Sequence, residues 1–142
     1  MSSSRLPDGP DTDDITGRIL ERWPQTAVAR TDGGVFFSFD PSNWPNYATI
    51  VWTDAFDMGG PSRLSRPGVF RLNIGLGKES FRRVAGDSAD FDHAALDTLM
   101  PHPLYAKQHW VCILNPSHLT FEETVWPLLV EAHDRLARAR NR

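Results

Sequence analysis

From Phe70 to Leu76 the chain alternates without a slip: Phe70, Leu72, Ile74 and Leu76 are apolar, and Arg71, Asn73 and Gly75 between them are not. A period of two belongs to an extended strand, and one apolar edge against one polar edge means a sheet with a core on one side only. The rest of the chain must supply the partner strands and the layer that covers the apolar face.

Local signals supply both. Asp11 or Thr12 can cap a first helix over 12–23, with Asp13 and Asp14 at the positive end of its dipole and Ile15, Ile19, Leu20 and Trp23 at helical spacing before Pro24. Two β-type runs, 26–31 and 35–40, flank Asp32-Gly33-Gly34 and predict a hairpin. Pro41 and Pro45 bar 40–46 from a central strand, so a third strand is expected over 47–54. Lys78 to Val84 reads as one or two helical turns ended by Gly86, and Asp92 can cap a further short helix carrying Ala95, Leu96 and Leu99.

Pro101 and Pro103 hold the residues between and after them extended, and 109–115 is an apolar, β-branched run that reads as a buried strand. Thr120 and Glu123 form the pattern of a capping box, and Phe121, Val125, Leu128, Leu129, Ala132 and Leu136 make one apolar stripe, predicting a helix over 121–139 kinked at Pro127. The fold class expected is α+β, a mostly antiparallel five-stranded sheet backed by the N- and C-terminal helices, its other face partly open.

The chain has 142 residues, 40% hydrophobic and 23% charged. That is the length and composition of one ordinary domain, expected over 11–142 behind a flexible tail, 1–10, of Ser, Pro, Gly and Asp. No run approaches the roughly 20 apolar residues that cross a bilayer, and the first residues lack the apolar centre of a signal peptide. The single cysteine, Cys112, excludes an internal disulfide, a zinc knuckle and a CxxC redox pair. A cytoplasmic setting is expected, with no membrane partner.

Net charge is −3, which argues against nucleic-acid binding by the chain as a whole. The charge is unevenly spread. Residues 1–60 hold four arginines against nine acids and residues 84–142 hold five basic residues against eight, whereas 61–83 hold Arg63, Arg66, Arg71, Lys78, Arg82 and Arg83 against Glu79 alone. This segment is the chain's main functional signal. Gly75, Gly77 and Lys78 lie where a strand meets a helix, so backbone N–H groups and the lysine can receive an anion there. The spacing is not that of a Walker A loop, which needs Ser or Thr where this chain has Glu79. The plain alternative is a turn whose glycines relieve backbone strain, with the arginines paired to acids elsewhere.

Arg71 and Asn73 share the polar face of their strand and form the floor of an expected polar groove, with Arg63, Arg66, Arg82 and Arg83 at its ends. His102, Tyr105 and His109 add a second constellation, in which His102 and His109 can converge with Asp54 or Asp57 in space. None of the five histidines has a recognised metal-ligand spacing, so no metal and no cofactor is expected. His118 and His133 are expected in solvent. Cys112 and His109 point to opposite faces of one strand, which makes Cys112 a small core residue rather than a nucleophile. Trp23, Trp52, Trp110 and Trp126 are expected in the core, and Trp44, in a proline-rich loop, can stack on a ligand.

Pro101, Lys107, His109-Trp110, the apolar strand and the terminal amphipathic helix resemble the small bacterial MmcQ/YjbR-like proteins. Over nearly the whole chain, Arg63-Leu-Ser-Arg-Pro-Gly-Val-Phe-Arg-Leu-Asn-Ile-Gly-Leu-Gly-Lys78, His102-Pro-Leu-Tyr105 and Trp110-Val-Cys-Ile-Leu-Asn-Pro116 are similar to an uncharacterised actinobacterial family of unknown function. The first resemblance implies a "double-wing" α+β arrangement, and DNA binding as suggested for that group. The second implies no activity.

Three functions follow as expectations: a non-catalytic binding module whose open sheet face takes an anionic small molecule or acidic partner; a small enzyme using His102, Tyr105 and His109 as acid/base groups; and a structural homodimer that covers the open face. DNA binding is a weaker form of the first.

Overall fold

The computed structural model describes residues 6–40, 43–56, 60–86 and 91–140, without the side chains at 40, 43–45 and 140. Helix α1 (Thr12–Arg22) opens on a reciprocal cap: the Asp14 N–H donates to Oδ1 of Asp11 at 2.8 Å, and the Asp11 N–H donates to Oδ2 of Asp14 at 3.0 Å. Such a cap contributes about 1 kcal/mol. Ile15 and Ile19, one turn apart, are fully buried.

Among the described residues six strands form one antiparallel sheet in the order β1-β2-β3-β4-β6-β5, with β1 Ala27–Thr31, β2 Gly34–Asp40, β3 Asn43–Val51, β4 Arg71–Gly75, β5 Met100–Pro101 and β6 Trp110–Leu114. The strand beyond the expected five is β5, two residues long. It lies at the sheet edge, where the N–H that Pro101 lacks is not needed.

Strand β3 starts at Asn43, ahead of the expected Tyr47, and runs past Pro45. Register shifts between Phe37 and Asp40 absorb this proline: Ser38 faces Asn46 and Asp40 faces Asn43, so two residues of β3 oppose one of β2. On its other side β3 pairs with β4 only from Ala48 to Val51, beyond the proline.

Ala48, Ile50, Leu72, Ile74, Val111 and Ile113 turn one face of the sheet toward the helices, in a core that also holds Ile15, Ile19, Phe121, Leu129 and Ala132. Each such side chain contributes roughly 1.5–3 kcal/mol by leaving water. The opposite face carries cross-strand rows instead: Phe36, Thr49, Asn73 and Cys112 stand opposite one another in turn, as do Val51, Arg71 and Leu114. A smaller apolar cluster of Val51, Leu64, Val69 and Leu114, with Phe36 and Leu96 against it, covers one end of that face.

Helix α2 (Lys78–Ala85) begins and ends at glycines 77 and 86, as the breaker pattern predicts. The helix expected after Asp92 does not form. Asp92 accepts the N–H of Ala94 at 3.0 Å, closing a turn, and Leu96 makes a parallel bridge to Leu114. Asp97, at φ 53°, donates its N–H to Leu114 and accepts from Ser117 at 2.8 Å. Ala95, Leu96 and Leu99 have helical spacing, but tertiary pairing with β6 overrides the local preference.

The final helix starts earlier than Thr120, with Ser117 as cap accepting the Thr120 N–H at 3.1 Å. Its stretches His118–Thr120, Phe121–Val125 and Trp126–Arg140 follow without a break and are together α3. The middle stretch is a π-turn, which widens the helix just before Pro127, where an α-turn would press the proline ring on the carbonyl four residues back.

Two further expectations change. His133 is not in solvent: its ring stacks on Trp23 at 4.2 Å and meets the edge of Tyr47 at 5.3 Å. Burial pushes the Tyr47 hydroxyl up to about 12, partly offset by its hydrogen bond with Thr26 at 2.9 Å. Trp52 lies just past β3 and is 38% exposed rather than core. The Asp8 carbonyl accepts the His118 N–H at the start of α3 at 3.1 Å. Trp44's side chain and Asp57 lie outside the described residues. No helix among the described residues is long and apolar enough to cross a membrane.

Candidate functional site

The face of the sheet away from the helices leaves a cavity of about 410 Å³ over β2, β3, β4 and β6. Arg71 and Asn73 lie in its floor because β4 alternates, and Phe36, Phe56, Tyr105 and Trp110 stand around it. Two larger clefts, of about 740 and 520 Å³, lie elsewhere. The first has its cations, such as Lys78 and Arg135, in solvent, and in the second the buried Asn115 is occupied by Phe70 N–H at 3.1 Å and Gly68 C=O at 3.0 Å. The smaller cavity combines a buried charge in its floor with aromatic walls, the combination expected of a ligand site.

Arg71 is only 1% exposed. Its Nε donates to Oδ1 of Asn73 at 2.8 Å and its Nη1 to Oγ of Ser62 at 3.0 Å. Asn73 in turn donates from Nδ2 to Oγ1 of Thr49 at 2.9 Å, its cross-strand partner. Asn73 and Ser62 thus help to fix the plane of the guanidinium. Nη2 stands 3.4 Å from Nε2 of His102.

His102 is held as firmly, at 4% exposed. Its Nδ1 accepts the backbone N–H groups of Leu104 at 3.0 Å and Tyr105 at 3.1 Å. An Nδ1 that accepts twice carries no proton, so the neutral ring bears its hydrogen on Nε2. The Tyr105 ring leans on the imidazole at 4.9 Å and is itself 51% exposed, at the cavity mouth. Arg71 and His102 thus stand side by side at the cavity floor, with aromatic rings at its walls.

A model of a family of unknown function, DUF6194, matches residues 10–142. The chain belongs to that family. No curated protein and no solved structure matches it.

In this member of DUF6194 the basic segment is not one patch. Arg71, Asn73, His102 and Tyr105 come together. Gly75 serves the same cavity indirectly: a Cβ there would lie 2.9 Å from the Trp110 ring, so the missing side chain lets the indole lie across the strand. Gly77 and Lys78 lie in the separate 740 Å³ cleft between α2 and α3. Arg66 is a loop clamp, reaching the carbonyls of Ser62, Arg63 and Ala94 at 2.9 to 3.0 Å. Arg63 is exposed, and Arg83 pairs with Glu131 at 3.0 Å.

His109 takes a left-handed backbone conformation, φ 70°, that turns it toward Phe81 of α2, in a cleft of about 250 Å³ shared with Lys78 and Arg82. It does not line the cavity of His102. Asp54 accepts the Leu64 N–H at 2.9 Å and so holds the loop over the sheet. Among the described residues no three His, Cys, Asp or Glu side chains converge as a metal site would require.

Sequence reasoning missed Thr49, Phe36, Phe56 and Trp110 as cavity residues and Ser62 as a partner of Arg71. Thr49 and Phe36 were recoverable in principle, since hairpin register places them in the row of Asn73. Ser62 sits in a loop without periodicity, and no local signal marks it.

Proposed function

We propose that this chain is a non-catalytic binding module whose open-face cavity receives an anionic small molecule. The observation that carries the reading is Arg71, a cation 1% exposed that nonetheless lines a cavity, pre-set by Asn73 and Ser62 beside the Nε2 of His102. Donors fixed in advance lose little freedom on binding, which is what makes them effective. The depth of Arg71 favours a small molecule over the surface of an acidic protein.

Thermal-shift measurements with small carboxylates and inorganic phosphate test it. At least one such anion should raise the melting temperature of the wild-type chain, and the rise should vanish in Arg71→Gln. No shift with any anion overturns the reading.

An enzyme remains a second reading, favoured by the contact of His102 with Tyr105. It has to work without His109, which lies in the other cleft. The net charge of −3 weighs against DNA. A place for the family beside the MmcQ/YjbR-like double-wing proteins is supported by Pro101, Lys107, His109 and Trp110 with the closing amphipathic helix, an actinobacterial source by the 63–78 pattern, and a cytoplasmic setting by the single buried cysteine.

A further inference from the structure

We infer that the cleft between α2 and α3 is a second ligand site, separate from the open-face cavity, and that it receives a small polyanion with two or more adjacent phosphoryl groups. Lys78, Arg82, Arg135 and Arg138 line this cleft of about 740 Å³. Lys78 and Arg82 also line the neighbouring cleft of about 250 Å³, where Lys107 and His109 join them from the turn before β6. Three segments far apart in sequence thus bring five permanent cations to one surface of a chain whose net charge is −3.

The sequence offers these cations partners that they do not take. Glu131 stands four residues before Arg135 and Asp134 four before Arg138, the order in which acid and base pair best along a helix. Neither pair forms. Glu131 instead accepts from Oγ of Ser80 and Nη2 of Arg83 on α2, each at 3.0 Å, and Asp134 lies 3.2 Å from Nδ1 of His133. Lys78 and Arg82 are one turn apart on α2, where like charges repel. Among the described residues none of the five cations makes an ion pair or a side-chain hydrogen bond. A helix face built for solubility alone interleaves its signs, whereas here the acids are drawn off and the cations are left together.

Spacing sets the class of ligand. Lys78 and Arg82 are about 6 Å apart along the axis of α2. Arg135 lies at its start, where a Cβ added to Gly77 would be 3.3 Å from Cδ of Arg135. One carboxylate can reach only one end of this array. Adjacent phosphoryl groups can span it, and the guanidinium fork matches phosphate oxygens. All five cations are exposed, so binding here draws on several charges at once rather than on enclosure. Glu79, Glu131 and Asp134 line the larger cleft and confine the positive surface to about the length of the eight-residue α2, roughly 12 Å. That length favours a small molecule over a nucleic-acid strand.

The test is titration calorimetry of the full chain at low salt with inorganic pyrophosphate, ADP, orthophosphate and a single-stranded DNA oligonucleotide. Pyrophosphate or ADP should bind at least about tenfold more tightly than orthophosphate, which meets one end of the array. ADP ahead of pyrophosphate assigns the phosphoryl groups to a nucleotide, and equal binding assigns them to the free diphosphate; both support the site. Lys78→Gln combined with Arg135→Gln should weaken the diphosphate at least about tenfold. Arg30→Gln combined with Arg63→Gln makes the same change of charge at exposed positions outside both clefts and should weaken it less than about threefold. Arg71→Gln should leave it unchanged, which separates this site from the open-face cavity. Equal losses in the two double variants would reduce the binding to the general field of the chain and overturn the site. Orthophosphate binding as tightly as pyrophosphate and ADP overturns the class of ligand, and tighter binding of the oligonucleotide overturns the small molecule. No binding of either diphosphate, or its loss in Arg71→Gln, overturns the inference outright.

Discussion

Nε of Arg71 donates to Oδ1 of Asn73 across 2.8 Å, between two residues on the same face of β4. Asn73 also donates to Thr49, so one amide serves both a buried cation and the neighbouring strand. Asn73→Leu keeps the volume and removes both bonds. It should cost about 2–3 kcal/mol in urea unfolding, since it strips an acceptor from a buried charged donor. Arg71→Met combined with Asn73→Leu should cost less than the two single changes added together, because the double variant leaves no such donor behind. Simple additivity would show that the two side chains are not coupled.

Two glycines in regular structure should respond to alanine with opposite sign. At Gly75 a Cβ would sit 2.9 Å from two atoms of the Trp110 ring, and the ring must move or the strand must bend. Gly75→Ala should destabilise by about 1–3 kcal/mol and weaken any ligand of the open-face cavity, whose wall Trp110 forms. Gly17, exposed in the middle of α1, has nothing within 4 Å of its added Cβ. Gly17→Ala should stabilise by roughly 0.5–1 kcal/mol through helix propensity alone. Chemical denaturation of both variants at one pH reads out the signs.

Cys112 faces the same side of the sheet as Asn73, its pairing partner, yet it is fully buried, with Sγ 3.8 Å from the Pro101 carbonyl. The Pro101 carbonyl of β5 lies against the thiol. A thiol reagent should therefore react with the native chain only as fast as that edge opens, and stoichiometrically at once in strong denaturant. Rapid labelling of the native protein would mean that β5 is not held against β6.

How far the sequence reached depended on whether local pattern and tertiary demand agreed. At β4 they did: the alternation that put Arg71 and Asn73 on one face is the register the sheet uses, so half of the candidate site was readable. At α1 the cap at Asp11 and the Ile15–Ile19 spacing agreed with the core they enter. At 92–99 they conflicted, and Leu96 left its helical pattern to bridge Leu114. Pro45 looked like a strand breaker because the bulge that accommodates it in β3 is set by pairing with β2 and leaves no local trace. His109 was grouped with His102 by proximity in sequence, and one left-handed residue separated them.

His133 offers the one pH dependence with a clear sign. It lies face to face with Trp23 at 4.2 Å, with Phe39 and Tyr47 beside it at 5.2 and 5.3 Å and its side chain 12% exposed. Burial pushes its titration below the ordinary 6.5; the hydrogen bond and charge of Asp134, at 3.2 Å, pull it back up, and the Arg22 charge adds to the lowering. The lowering wins, so between the folded value and 6.5 the unfolded chain binds more protons than the folded one. Stability from this residue is then complete above about pH 6.5, falls as the pH drops below it, and levels off beneath the folded value. His133→Phe keeps an aromatic ring in the stack and cannot take a proton. Thermal unfolding from pH 7.5 to 5 should show the wild type losing more melting temperature than this variant. A wild type that loses no more than His133→Phe would mean that the stacked imidazole titrates as it does in the unfolded chain.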